Sequence, residues 1–174
     1  FIEAHSLDSQ VLKGGDKLTI GGVDIEILWP YEEEVGQMYD NATDLNNRSV
    51  VARFDHGDFS ALFVGDLYKA GEADLIASVG DKLDVDLLHI GYILLLDTLD
   101  EEDPTYGTKM AKLLKAAQDH GIKTSIDVVS EASDRFRRLV SPALRYTDYC
   151  VINEVEASAT TGIALRTEDG QLIR

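Results

Sequence analysis

At 174 residues, 44% hydrophobic and 28% charged, the chain has the length and composition of one globular domain and excludes a disordered one. Its net charge of −16 is uneven: residues 1–86 carry −12 and residues 87–174 carry −4. Such a surface argues against nucleic acid and anionic membranes as partners, which need Lys and Arg, and is compatible with divalent cations. Cys150 is the only cysteine, so no internal disulfide can form and a reducing cytosol is the expected compartment. No apolar run approaches the ~20 residues that span a bilayer. Phe1-Ile2-Glu3-Ala4-His5 lacks the basic start and apolar core of a signal peptide. With no initiator Met, and with a turn-like Thr167-Glu168-Asp169-Gly170 close to Arg174, both ends read as cut.

Along the chain, residues 1–16 are weakly patterned up to a turn at Gly14-Gly15-Asp16. Leu18–Ile20 and Val23–Leu28 alternate around Gly21-Gly22, which predicts a two-residue hairpin with one wet face. Trp29-Pro30 ends it. Residues 31–47 are polar and acidic and read as a long loop, with Glu32-Glu33-Glu34 a solvated run. Val50–Phe54 and Phe59–Val64 predict a second hairpin. Gly65-Asp66 then leads into a helix with Ala73, Ile76 and Ala77 on one face, closed by Gly80.

The longest apolar run lies inside 84–97, bounded by acids. It reads as a buried strand of a parallel sheet. Pro104-Thr105 opens a predicted helix with Met110, Leu113, Leu114 and Ala117 at i, i+3, i+4, i+7, stopped by Gly121. Thr124–Val129 is a strand. Phe136, Leu139 and Val140 mark a short helix ending near Pro142. Tyr149–Ile152 is another strand, and Asn153 can cap a last helix that stops at Gly162. The expected fold is α/β: a single domain with a mixed sheet, antiparallel hairpins first, then parallel β-α-β-α-β-α with helices flanking the sheet.

Four phrases in residues ~10–91 carry a resemblance: Gly15-Asp16-Lys17-Leu18-Thr19-Ile20-Gly21-Gly22-Val23, Ile27-Leu28-Trp29-Pro30, Asn46-Asn47-Arg48-Ser49-Val50-Val51 and Leu62-Phe63-Val64-Gly65-Asp66. This segment resembles the C-terminal half of a metallo-β-lactamase-fold hydrolase of the competence-protein (ComEC-like) branch. The resemblance implies that Asp66 bridges metal ions, Zn²⁺ or Mn²⁺. A carboxylate at a strand's C-terminal end suits that, because it projects above the sheet. The family's next ligand, a His, falls at Tyr92 here, and His89 lies three residues earlier. The upstream His-x-His-x-Asp-His cluster is missing and His5 stands alone. A Zn²⁺ site takes about four ligands, so this set is incomplete.

Residues ~87–174 resemble the middle of a ribokinase-type (PfkB) carbohydrate kinase. The matching phrases are His89-Ile90-Gly91-Tyr92, Gly121-Ile122-Lys123-Thr124-Ser125-Ile126-Asp127 and Tyr146–Ala157. The resemblance implies ATP and a small sugar as partners, and Mg²⁺ and phosphate positioned by Asn153 and Glu156, the family's Asn-x-x-Glu pair. The two residues share a face at a helix start, where phosphate is also favoured. Asp127 stands where the family has a strand-end aspartate, but Val128-Val129 depart from its Asp-Pro-Asn. The Gly-Ala-Gly-Asp segment that supplies the catalytic base is absent, as are the sugar-binding glycines.

The two patterns overlap only at His89-Ile90-Gly91. The chain therefore reads as a chimera, with a metallo-β-lactamase-like half (1–88) and a kinase-like half (89–174) joined at an equivalent strand. Neither half brings a complete active site, and no intrinsic catalysis is the first expectation. Missing contacts from both parents predict exposed apolar edges and self-association. Structural roles compete at each candidate. Asp66 can cap a helix, and Asn153 with Glu156 can act as a cap and first-turn acid. His89 reads as a satisfied core group, His56 and His120 as solvated, and Cys150 as a small core residue rather than a nucleophile.

Overall fold

The computed structural model describes residues 10–31, 48–65, 84–96, 98–130, 135–167, 171 and 173. Asp66, His5, the acidic run at 32–34, Asn46-Asn47 and the helix expected between Gly65 and Gly80 lie outside these residues, apart from Gly65 itself.

The strands are β1 (Lys17–Ile20), β2 (Val23–Trp29), β3 (Val51–His56), β4 (Phe59–Phe63), β5 (Leu87–Ile93), β6 (Glu102–Asp103), β7 (Gly107–Thr108), β8 (Lys123–Val128) and β9 (Tyr149–Val151). The described helices are α1 (Lys109–Asp119), α2 (Arg135–Leu144) and α3 (Glu154–Thr161). One seven-stranded sheet runs β1-β2-β3-β4-β5-β8-β9. The pairs from β1 to β4 are antiparallel, and those from β4 to β9 are parallel. The fold is thus the expected α/β single domain with a mixed sheet. β5 is paired on both sides, as its apolar run predicts.

The first hairpin turns through Gly21 and Gly22, with φ of 59° and 86°. Two consecutive positive φ values define the turn that matches strand twist, and glycine adopts them without a Cβ clash.

The strands β5, β8 and β9 advance in one direction, so right-handed crossovers put α1 and α2 on one face. The packing agrees. Met110 and Leu114 of α1 and Phe136, Leu139, Val140 and Ala143 of α2 share one core with Ile90, Ile126 and Val128 of the sheet. Ala159 of α3 packs against the same core. All three described helices therefore lie on one side. A second cluster, Leu28, Trp29, Val51, Leu62 and Val85, sits under the antiparallel strands. Val64 and Leu88 touch both clusters, so the two cores meet at the β4–β5 pair.

Each parallel pair is also fastened by an aspartate that accepts a backbone N–H across the ladder. Asp86, ahead of β5, takes the Ser60 N–H of β4 at 2.8 Å. Asp148, ahead of β9, takes the Thr124 N–H of β8 at 3.0 Å. Asp127, near the end of β8, takes the Tyr92 N–H of β5 at 2.6 Å. At Asp86 the close backbone donor favours the ionised carboxylate. The Ser60 backbone and hydroxyl accordingly hold the Asp86 carboxyl below its ordinary value. Part of the chain's acidity is therefore structural.

Two expectations need correction. The helix predicted from Pro104 begins at Lys109, because Asp103 accepts the Thr105 and Tyr106 N–H groups and the small β6–β7 ribbon follows. Its N-cap is Thr108, whose hydroxyl accepts the Ala111 N–H at 3.1 Å. The helix α2 ends at Leu144, near Pro142 as expected, and includes the proline in its last turn. Cys150 is exposed rather than buried, because β9 is the edge of the sheet. Among the described residues no helix is long and apolar enough to cross a membrane.

Candidate functional site

In parallel α/β sheets, ligands collect at the C-terminal ends of the strands. Three of the four predicted site residues, Asp127, Asn153 and Glu156, lie at that edge, on β8 and at the β9–α3 junction. Asp66 lies outside the described residues.

Asn153 begins α3 as its N-cap, with its side-chain oxygen accepting the Val155 and Glu156 N–H groups at 2.9 and 3.0 Å. Glu156 answers at the N3 position. Its Oε2 accepts the Asn153 N–H at 3.0 Å, which completes a capping box. Its Oε1 accepts from Ser130 Oγ at 2.6 Å and from Asn153 Nδ2 at 2.8 Å. Glu156 is 6% exposed, so this carboxylate is buried with both oxygens engaged. A buried charge without partners is strongly unfavourable, and here three donors surround it. Gly162, with φ of 74°, closes the helix at the other end.

Asp127 is held differently. Besides the Tyr92 N–H on Oδ1, its Oδ2 lies 3.6 Å from His89 Nε2. The other His89 ring nitrogen, Nδ1, lies 2.9 Å from Ser125 Oγ. Phe63 of β4 packs on the His89 ring with centroids 4.9 Å apart. Cross-strand register makes Phe63, His89, Ser125 and Tyr149 one row on the face opposite the helices. Ser125, His89 and Asp127 are the residue types of a nucleophilic triad, but Ser125 is a buried residue, 5% exposed. Chain order does not reveal this group, because it depends on the β5–β8 register. The signal available in advance was that Ser125 and Asp127, two residues apart, share one face of the strand.

The backbone leaving β5 is unusual. Tyr92 and Leu94 have φ of 61° and 93°, where side-chain-bearing residues are strained. Gly91 beside them lies close to Asp127: a Cβ there would meet its carboxylate oxygens at 3.4 Å. Asp127 thus fixes the strained exit by holding the Tyr92 N–H. Asp127→Ala is expected to lower stability by about 1.5 kcal/mol, the worth of a hydrogen bond to a charged acceptor. Urea unfolding reads this, and an unchanged midpoint would show that the exit is held by other contacts.

Among the described residues no three His, Cys, Asp or Glu side chains are grouped to hold a metal ion. Mg²⁺ takes oxygen ligands and retains several waters, but the Glu156 oxygens already serve the helix cap. Cys150 is no better placed for chemistry. Partial burial, with the Glu156 and Asp127 charges nearby, pushes its thiol up and away from the reactive thiolate.

The described parallel strands run β4-β5-β8-β9 with no reversal of order. They therefore lack the switch point at which a crevice opens between diverging helices. Fold and site together define an α/β domain with a capped helix at its candidate edge. Comparison with protein-family models and with curated proteins finds no match for this chain.

Proposed function

We propose that the chain is a non-catalytic α/β scaffold of chimeric origin, with a metallo-β-lactamase-like half joined at β5 to a piece of a PfkB-type sugar kinase. The observation that carries this reading is the capping box. Glu156, the acid that the kinase resemblance assigns to Mg²⁺ and phosphate, has both oxygens committed to Asn153 and Ser130. In this reading Asn153 and Glu156 order α3, and Asp127 orders the exit of β5. The join at β5 is favoured by the continuous parallel pairing from β4 through β8 and by the meeting of two apolar cores there. Phosphoryl transfer depends on positioning and charge stabilisation, and the Glu156 oxygens that would position Mg²⁺ already serve the helix cap. A reducing cytosol, inferred from a single cysteine, belongs to the same proposal.

The expected outcome is no sugar-dependent ADP release when the purified chain is assayed with Mg²⁺-ATP against pentoses, hexoses and sugar acids. Turnover that depends on a sugar and is lost in Asp127→Asn would overturn the proposal. Binding of Zn²⁺ or Mn²⁺ at one equivalent, lost in Asp66→Ala, would favour the hydrolase-like half as the working part instead.

A further inference from the structure

We draw no further inference here: the strongest candidate, the exposed apolar patch formed by Tyr149 and Val151 of the edge strand β9 on the sheet face that also bears Phe63, carries nothing because nothing in the structure shows what covers it.

Discussion

Asp148→Ala is expected to remove about 3 kcal/mol of stability, because hydrogen bonds to a charged acceptor are worth about 1.5–3 kcal/mol and a buried donor is left unpaired. The Asp148 carboxylate accepts from the Thr124 N–H at 3.0 Å, Gln118 Nε2 at 3.1 Å and Lys123 Nζ at 3.0 Å. Thr124 is fully buried, so its N–H has no water to turn to. The Thr124 hydroxyl, which accepts from the Asp148 N–H at 3.2 Å and donates to the Tyr146 carbonyl at 2.7 Å, ties the same corner together.

The loss should depend on pH with a definite sign. The Thr124 N–H first, then Gln118 and Lys123, hold the Asp148 carboxyl far below the usual carboxylate range. A group whose folded-state value is depressed contributes stability that is fully present above its unfolded value, about 4. That contribution is lost as pH falls toward the folded value. The gap between wild type and Asp148→Ala in urea unfolding should therefore be wide at about pH 6 and narrower at about pH 2. An equal gap at both would mean that Asp148 acts through packing and not through its charge.

Phe136→Ala should cost about 3–5 kcal/mol, the usual range for emptying a large aromatic from a packed core. Phe136 is 2% exposed and sits on α2 within the core that joins the helices to β5 and β8. The only tryptophan, Trp29, lies in the other cluster. Its fluorescence therefore reports on the antiparallel half, while the far-ultraviolet circular dichroism follows the helices. Because the two clusters share Val64 and Leu88, Phe136→Ala should shift both transitions together. A shift in the helical signal with Trp29 unmoved would show that the halves unfold separately.

What could be read from the sequence follows from which forces are local. The Gly21-Gly22 turn and the Asn153 and Gly162 boundaries of α3 are legible because caps and positive-φ turns are encoded within a few residues. The interior place of β5 is legible because a strand covered on both sides needs an apolar run. The start of α1 was not, since Pro104 is a general opening signal and the Asp103 turn that pre-empts it depends on three residues acting together. The end of α2 is legible because proline cannot continue a helix for long, and α2 stops at Leu144, two residues after Pro142. The exposure of Cys150 follows from the position of β9 in the sheet, which strand patterning does not encode. At the site, the spacing of Asn153 and Glu156 was legible but its use was not. The Ser130 hydroxyl that completes the Glu156 shell comes from beyond β8, and the His89–Asp127 contact requires the β5–β8 register.

Thermal melts of wild type and Glu156→Gln, each with and without Mg²⁺-ATP, distinguish a Glu156 that serves the fold from one that serves a nucleotide. The amide replaces one acceptor with a donor that faces donors, so Glu156→Gln should melt lower by an amount worth about 1–2 kcal/mol. A ligand that binds only the folded state must raise the midpoint by mass action. Mg²⁺-ATP is expected to move neither midpoint. A rise with Mg²⁺-ATP in the wild type that disappears in Glu156→Gln would contradict that expectation and return Asn153 and Glu156 to the binding of a metal-bound phosphate.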